Sequence, residues 1–279
     1  MSGLTPAGVE GFWGPVTSTL DWCEENYLLS HYVAEWWNTT SNLVFHVTAL
    51  IGIYNAVRVK AEARIIYSFL ALAVVGTGSA AFHGSLTYEM QLMDELPMIY
   101  GSCIFVFSTL QTFPPGKFPT LTSIVLAVYA LFVTVVYIML RDPVFHQVSY
   151  AVLVAITSLV PIAHINKLGR IYPGTKRVLW FLYVTSLGSY LFGFLLWNID
   201  NFYCDAFRSW KNTTGYPLRV LGELHAWWHL LTGYGSYGSV ILSQYMRLLA
   251  LGKANTVEFK YYGILPVIVP RDHKRGKGE

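Results

Sequence analysis

The sequence predicts an all-α membrane protein, built as a bundle of seven transmembrane helices. Its 279 residues are 54% hydrophobic and only 13% charged, whereas a soluble domain carries about 25% charged residues. The deficit comes from uncharged runs of roughly twenty residues, the length that an α-helix needs to cross a bilayer. Residues 120–140 and 178–199 are the clearest examples, because neither contains a charged side chain.

Seven such segments follow one another along the chain. Polar residues do not recur in them at every third or fourth position, as they would in the surface helices of a soluble protein. A proline-rich turn, QTFPPGKFPT, connects the third segment to the fourth. The predicted transmembrane helices cover residues 36–57, 65–86, 95–112, 120–140, 143–164, 178–199 and 224–246.

The charges between the segments predict the orientation in the membrane. Basic residues collect after the first and fifth helices and in the tail: Arg58, Lys60, Arg64, Lys167, Arg170, Lys176, Arg177, Arg247, Lys253, Lys260, Arg271, Lys274, Arg275 and Lys277. Because basic loops stay in the cytosol, the N-terminus is predicted to be lumenal. The chain then divides into a lumenal N-terminal segment (1–35), a seven-helix domain (36–246) and a cytosolic basic tail (247–279).

Three histidines are expected at one depth in the membrane. His225 and His229 open the seventh helix on the lumenal side, four residues apart and therefore on one helix face. His83 lies near the lumenal end of the second helix, one turn after Ser79, and Asp94 opens the third helix on the same side. Three histidines beside a carboxylate and a hydroxyl match a catalytic zinc site, in which water takes the fourth position and a carboxylate accepts its proton.

The alternative interpretation treats these residues as structural. His225 and His229 would then be helix-end residues bonded to water or backbone, and His83 a hydrogen-bonded core histidine. We interpret His46 and His164 as structural because neither has a partner at matching spacing. We interpret His146 in the same way because it is expected in a short lumenal loop.

The N-terminal segment contains a second candidate metal site. It gathers oxygen ligands of the kind that calcium prefers, at Asp21, Glu24, Glu25, Asn26 and Glu35. The alternative is a helix capping box that starts at Ser18, since acidic residues near a helix start are ordinary. The spacing is not that of an EF-hand. Spacing alone leaves both interpretations open.

Other lumenal features concern covalent chemistry. Cys23 and Cys204 are both expected in the oxidising lumen, which allows a disulfide between them. Cys103 is expected inside the third helix as a free, buried thiol. Asn212 begins a glycosylation sequon in a lumenal loop.

Several long motifs together resemble the alkaline ceramidases, in particular the branch with alkaline ceramidase 3 and the fungal phytoceramidases. They are WGPVTSTLDWCEENY, AEWWNTTSNL, GSAAFH, YEMQLMDELPMIY, FLLWNIDNFYC and HAWWHLLTGYGSY. The resemblance runs from about residue 11 to the end of the seventh helix. The wider superfamily, with the adiponectin receptors and the lipases that remodel GPI anchors, shares the Ser/His/Asp/His/His set but lacks DWCEENY and YEMQLMDELPM.

The resemblance implies an intramembrane zinc amidase that is regulated by calcium. It would hydrolyse the N-acyl amide of ceramide, dihydroceramide or phytoceramide to a sphingoid base and a free fatty acid. Asp94 would accept a proton and Ser79 would donate to the developing oxyanion. The resemblance also implies a Cys23–Cys204 disulfide. The implied metal ligands are His83, His225 and His229 for zinc, and Asp21, the Trp22 carbonyl, Glu24, Asn26 and Glu35 for calcium.

Two other functions remain open on the sequence: a receptor-like lipid-binding protein, and a lipid ester hydrolase with the same site. A membrane lipid is the expected substrate, and we expect neither nucleic-acid binding nor an obligate protein partner. The tail residues Arg275 and Lys277 loosely resemble a dilysine retrieval signal. This points to the endoplasmic reticulum, with the Golgi as the other candidate.

Overall fold

The computed structural model describes residues 11–114, 116 and 118–271, and these are mostly helical. Each of the seven predicted segments coincides with a helix, the first one being divided at Asn42 into α1 and α2. The helices are α1 (Trp36–Ser41), α2 (Leu43–Arg58), α3 (Ala63–Ser85), α4 (Tyr88–Leu110), α5 (Pro119–Leu140), α6 (Pro143–Ile171), α7 (Lys176–Phe202), α8 (Cys204–Thr214) and α9 (Leu224–Ala250). Short 3-10 turns at Pro173–Thr175 and Leu218–Gly222 precede α7 and α9.

Four helical stretches in the described part of the chain are long and apolar enough to cross a membrane: Ala63–Ser85, Pro119–Leu140, Pro143–Ile171 and Pro173–Phe202. Helix α5 shows why, since only Val133 and Tyr137 are buried along it while most of its other large apolar side chains are exposed. An apolar surface of this kind suits lipid rather than water. The chain is therefore a helical membrane protein.

The remaining long helices depart from a purely apolar pattern for identifiable reasons. Helix α2 has only 16 residues. Helix α4 carries three acidic residues in its first two turns, and α9 carries two histidines in its first two turns. Helix α9 is also the most enclosed, packing against α7, α2 and α3. The acidic residues of α4 and the histidines of α9 thus lie on helices that pack inside the bundle.

Close packing of α3 on α4 depends on a glycine. A Cβ atom added at Gly78 would lie 1.8 Å from the carbonyl oxygen of Met93 and 3.1 Å from the amide nitrogen of Asp94. The two backbones therefore meet at the residues that precede Ser79 and Asp94 in sequence. This contact brings the hydroxyl of one helix and the carboxylate of the other to the same level.

Polar contacts mark the two ends of the bundle. At one end, Arg247 pairs with Glu62 at 2.6 Å and donates to the carbonyl of Thr112 at 3.2 Å. At the other end, Cys23 and Cys204 form a disulfide with their Cα atoms 5.4 Å apart. The basic loop after α2 and the N-terminal segment therefore lie at opposite ends, as the sequence predicted. Lys274, Arg275 and Lys277 of the predicted tail lie outside the described residues.

The all-α prediction missed a small antiparallel hairpin in the tail, formed by β1 (Val257–Tyr262) and β2 (Leu265–Pro270). Gly263 turns the chain with φ +61°, a conformation that costs glycine little. Ile268 is fully buried in the same apolar cluster as Tyr237 of α9, whose hydroxyl donates to the carbonyl of Pro266 at 2.6 Å. Strand β2 is a short apolar run within a tail rich in basic residues, so no strand was predicted there from the sequence.

Two residues that were predicted to lie in lumenal loops, Asn212 and His146, lie in helices instead. The expected loop after α7 contains helix α8, where Asn212 is exposed. His146 is not in a loop: it lies one turn inside α6, buried, with Nε2 2.8 Å from the carbonyl of Glu95. The proline that starts α6 and the Asp142 cap on Val144 begin the helix before His146.

Glycine substitutions test the contact between α3 and α4. Gly78→Ala should destabilise the protein by about 1–3 kcal/mol, because the added methyl meets backbone that cannot move aside. Gly188→Ala is the matched control, since a Cβ there meets nothing within 4 Å and alanine generally favours a helix by about 0.5–1 kcal/mol. Thermal unfolding in detergent measures both. Equal melting temperatures for the two variants would contradict the close approach.

Candidate metal centre

Three buried histidines from two helices meet at the end of the bundle that carries the disulfide. His83 is in the last turn of α3, and His225 and His229 are in the first two turns of α9. One ring nitrogen from each lies within 4.8 Å of the others. The ring centroids are 4.9 Å apart for His83–His225 and His83–His229, and 4.7 Å apart for His225–His229. Within the described part of the chain, this is the cluster able to hold a metal ion.

Hydrogen bonds orient two of the rings. His83 Nδ1 lies 2.5 Å from Oε2 of Glu35. His229 Nδ1 lies 2.8 Å from Oγ of Ser41, whose own proton goes to the carbonyl of Asn38 at 3.0 Å. Because the Ser41 proton is already used, His229 Nδ1 acts as the donor and its Nε2 is left unprotonated, while His83 Nδ1 and Glu35 share one proton between them. Metal-binding histidines are typically held in this way by a carboxylate, hydroxyl or carbonyl on the other ring nitrogen.

The donor set fits a metal ion. Nδ1 of His225 is buried and has no hydrogen-bond partner among the described residues, although buried polar atoms are nearly always bonded. Three neutral imidazoles pointing at one another lower their free energy by sharing a cation. Three nitrogen ligands with a free position are typical of catalytic zinc.

Ser79 and Asp94 complete the group that the sequence predicted. The Ser79 hydroxyl lies within hydrogen-bonding reach of the Asp94 carboxylate. Both line a cavity of about 660 Å³ together with His225 and His229. Its walls are otherwise largely apolar, with side chains such as Phe82, Phe105 and Phe194. A cavity of this size, with mostly apolar walls and a small number of polar groups, is typical of a ligand site.

The residues predicted to bind calcium lie beside this centre. Asn26 Nδ2 donates to Oδ1 of Asp21 at 3.1 Å, and the side-chain oxygen of Asn26 is buried without a partner among the described residues. Arg208 donates to the carbonyl of Trp22 at 3.2 Å. Glu24 accepts the backbone N–H groups of Trp37 and Asn38 at 2.7 and 2.8 Å and so caps α1. The capping box predicted at Ser18 is wrong, because no helix begins there and the first helix of the described residues starts at Trp36.

Burial and the neighbouring carboxylates make it less favourable for each of these groups to lose its proton. Burial, with Glu35 nearby, raises the pKa of Glu24 to about 9. Burial and the neighbouring Asp21 raise the pKa of Glu35 well above its usual range, and burial raises the pKa of Asp21. Such a group of carboxylates gains most from a bound cation. The calcium site that the sequence suggested stays a prediction, since the carboxylates of Asp21, Glu24 and Glu35 are not among the groups whose ligand atoms lie within 4.8 Å of one another.

A second group of polar residues, around Glu95 next to Asp94, was not predicted from the sequence. The carboxylate of Glu95 accepts hydrogen bonds from the Tyr137 hydroxyl and from Gln91 at 3.0 Å, while its carbonyl contacts His146. These bonds hold the start of α4, and with it Asp94. The signal available in the sequence was an acidic pair, Asp94-Glu95, at the start of an otherwise apolar segment.

Fold and site together define a helical membrane protein with a buried three-histidine centre facing an apolar cavity. A family model described as Ceramidase matches residues 14–270. Alkaline ceramidase 3 of Mus musculus is 44% identical over 266 residues, covering 93% of this chain and 95% of the relative. Alkaline ceramidases of Saccharomyces cerevisiae and Arabidopsis thaliana are 34% and 28% identical, covering 96% and 94% of this chain and 89% and 96% of the relatives. The chain belongs to the ceramidase family, which confirms the resemblance in its motifs.

Metal content tests the centre directly. His229→Ala should lose most of the metal that copurifies with the protein, because two nitrogen ligands hold a divalent ion far more weakly than three. His46→Ala is the control: this half-buried ring lies 2.9 Å from the Thr77 hydroxyl, away from the centre. Elemental analysis of both variants measures the ion. Full occupancy in His229→Ala would contradict the site.

Proposed function

We propose that the chain is an intramembrane zinc-dependent amidase. It hydrolyses the N-acyl amide of a ceramide to a sphingoid base and a free fatty acid. The observation that carries this proposal is the three-histidine centre, with Ser79 and Asp94, on the wall of a large apolar cavity in a chain of the ceramidase family. The names of the relatives point to the same substrate class.

Zinc held by His83, His225 and His229 would act as a Lewis acid and lower the pKa of bound water. Asp94 accepts the proton of the attacking water and returns it to the nitrogen of the leaving amine, so that acid and base roles alternate on one carboxylate. The Ser79 hydroxyl donates to the oxygen that carries negative charge while the tetrahedral carbon exists. Water adds across the C–N bond, giving one carboxylic acid and one amine.

The cavity explains how an insoluble lipid reaches this chemistry. Its polar groups lie where α3 ends and α9 begins, and its apolar walls continue between the helices. A lipid amide near the headgroup level could enter without leaving the membrane. Trp22 lies over the centre, with its ring 4.4 Å from that of His225 and 5.8 Å from that of Trp197. The N-terminal segment therefore covers the site on the lumenal side.

The proposal includes seven spans, with α2, α4 and α9 crossing beside the four apolar stretches. The short loops between consecutive helices and the placement of Glu62, Thr112 and Arg247 at one end support it. The positive-inside rule then puts this end in the cytosol and the disulfide end in the lumen. We assign the protein to the endoplasmic reticulum, with the Golgi as the alternative.

We further propose that calcium binds at Asp21, the Trp22 carbonyl, Glu24, Asn26 and Glu35. The support is the cluster of buried carboxylates and the unpartnered oxygen of Asn26. Glu35 also contacts His83, so the cation would neutralise a carboxylate that orients a ligand of the zinc centre. Calcium would thus regulate the enzyme through the position of His83.

Fatty acid release by the purified protein tests the reaction. Asp94→Asn should lower release from ceramide, dihydroceramide and phytoceramide by about 10²–10⁴-fold, because general acid–base catalysis is lost, and should retain the metal. Asp205→Asn, an exposed residue of α8, is the control and should keep full activity.

Two results would overturn the amidase proposal. Release from phospholipid esters but not from ceramides would identify an ester hydrolase. No release from any lipid by the protein with metal bound would favour a receptor-like lipid-binding protein.

Calcium binding should strengthen as the pH rises. Since the pKa of Glu24 is raised to about 9, this group holds a proton at pH 7 that calcium must displace. Without calcium, the raised pKa makes folding less favourable as the pH rises from about 4.3, the unfolded value, towards 9. The upward shift in melting temperature on adding calcium should therefore be larger at pH 9 than at pH 7.

Carboxylate variants show whether this shift comes from the proposed ligands. Asp21→Asn should weaken the calcium-dependent shift. Glu25→Gln should not, because Glu25 pairs with Arg219 at 2.9 Å and is outside the ligand set. An identical calcium response at both pH values, or in both variants, would reduce the cluster to a capping and packing element.

A further inference from the structure

Two tyrosine hydroxyls interrupt the apolar wall of the large cavity. Tyr150 of α6 and Tyr190 of α7 line it together with Asp94, and the Tyr190 hydroxyl donates to the Tyr150 hydroxyl at 3.0 Å. Neither residue belongs to the metal centre or to the proposed proton transfer. Hydroxyls inside a membrane bundle are costly unless bonded, so the pair calls for an explanation.

Neighbouring rings hold both tyrosines in place. The Tyr150 ring is parallel to that of His146, with centroids 6.4 Å apart, and the Tyr190 ring packs edge-on against Trp228 at 5.4 Å. Trp228 lies between His225 and His229 in α9. The tyrosine hydroxyls are therefore preorganised relative to the metal centre, as groups that recognise a ligand need to be.

The pair still has hydrogen-bonding capacity towards the cavity. A tyrosine hydroxyl can donate one bond and accept two. Tyr150 accepts from Tyr190, and Ser102 of α4 lies within hydrogen-bonding reach of it. These contacts leave Tyr150 able to form one more hydrogen bond, and Tyr190 able to accept hydrogen bonds, from a bound ligand.

A second cavity brings further hydroxyl groups close to the pair. It has a volume of about 80 Å³, shares Ser102, Tyr150 and Tyr190 with the large cavity, and is otherwise rich in serine and threonine. Ser108 and Ser243, which also line it, have buried hydroxyls without a partner among the described residues. The tyrosine pair therefore stands between the large apolar cavity and a small hydroxyl-lined one.

The position of the tyrosine pair along the helices indicates which part of a bound lipid would contact it. Ser102 follows Asp94 by eight residues in α4, which is about 12 Å along a helix at 1.5 Å per residue. The tyrosine hydroxyls lie near the level of Ser102, because Tyr150 is within hydrogen-bonding reach of Ser102 and lines the same cavity as Asp94. With the amide at Asp94, the first carbons of the two hydrocarbon arms would lie there.

We propose that Tyr150 and Tyr190 bind a hydroxyl group on a hydrocarbon arm of the substrate, close to its amide, and so determine which ceramides are preferred. This proposal rests on the proposed amidase function and specifies its substrate class. All ceramides share the 1- and 3-hydroxyls, so the hydroxyls that can make one ceramide preferred over another are the 4-hydroxyl that distinguishes phytoceramide from dihydroceramide, and the 2-hydroxyl of a 2-hydroxyacyl chain.

Steady-state kinetics with three matched lipids test the proposal. Dihydroceramide, phytoceramide and 2-hydroxyacyl dihydroceramide of equal chain length differ by a single hydroxyl. Tyr190→Phe and Tyr150→Phe should lower kcat/KM for one hydroxylated lipid about tenfold relative to dihydroceramide, the effect of one lost hydrogen bond. Selective loss on phytoceramide assigns the 4-hydroxyl, and selective loss on the 2-hydroxyacyl lipid assigns the acyl arm.

Tyr100→Phe is the matched control, because its hydroxyl bonds Thr134 at 2.8 Å on the outer side of α4, away from the cavity. It should leave all three rates and their ratios unchanged. An equal fall on all three lipids in Tyr150→Phe and Tyr190→Phe, or no change on any, would overturn the proposal. An equal fall would mean that the pair acts on a group common to all three lipids, such as the 3-hydroxyl, and no change would make the pair a packing element of the bundle.

Equilibrium binding separates this proposal from the amidase proposal. Binding of phytosphingosine and dihydrosphingosine to the Asp94→Asn protein needs no turnover. If the 4-hydroxyl is bound, phytosphingosine should bind about tenfold more tightly, and Tyr190→Phe should remove the difference. If the 2-hydroxyl of the acyl arm is bound instead, a 2-hydroxy fatty acid should bind about tenfold more tightly than its unhydroxylated counterpart, and Tyr190→Phe should remove that difference. If the wild-type protein hydrolyses no ceramide, the amidase proposal fails while these two differences still decide the role of the tyrosines.

Discussion

One buried carboxylate connects the main parts of this molecule. Glu35 has no exposed surface. Its side chain contacts His83 at 2.5 Å and accepts hydrogen bonds from Asn38 of α1 at 3.1 Å and from the backbone of Trp22 at 3.3 Å. Its backbone N–H donates to the carbonyl of His83. The N-terminal segment, α1 and the end of α3 are therefore held together at the residue that orients one side of the metal centre.

This connection explains why the N-terminal segment is part of the site although it lies outside the apolar helices. The disulfide attaches the segment to the start of α8, and the Arg208 bond to the Trp22 carbonyl fixes it further. Trp22 in turn covers His225. A change in the charge of Glu35 would affect His83 directly, so a cation bound beside Glu35, as we propose, would act on the centre through a single hydrogen bond.

The long apolar segments could be predicted from sequence because bilayer thickness and helix rise leave few other solutions. His83 could be matched with His225 and His229 because alternating helix directions place the end of α3 and the start of α9 at one level. The Glu35–His83 and Ser41–His229 contacts could not be predicted from sequence, because they depend on an irregular segment and on the break between α1 and α2 at Asn42. The same holds for Tyr150 and Tyr190, because helix rotation decides whether they meet. The hairpin was missed because its apolar strand is short and lies within a basic tail.

The central claim is that three imidazoles hold zinc and leave one position open for water. Zinc K-edge X-ray absorption on the detergent-purified protein tests it most directly. The account predicts a first shell of three histidine nitrogens and one oxygen, at about 2.0–2.2 Å. A first shell with sulfur, a shell of oxygen atoms alone, or no zinc in protein that is active on ceramide would contradict it.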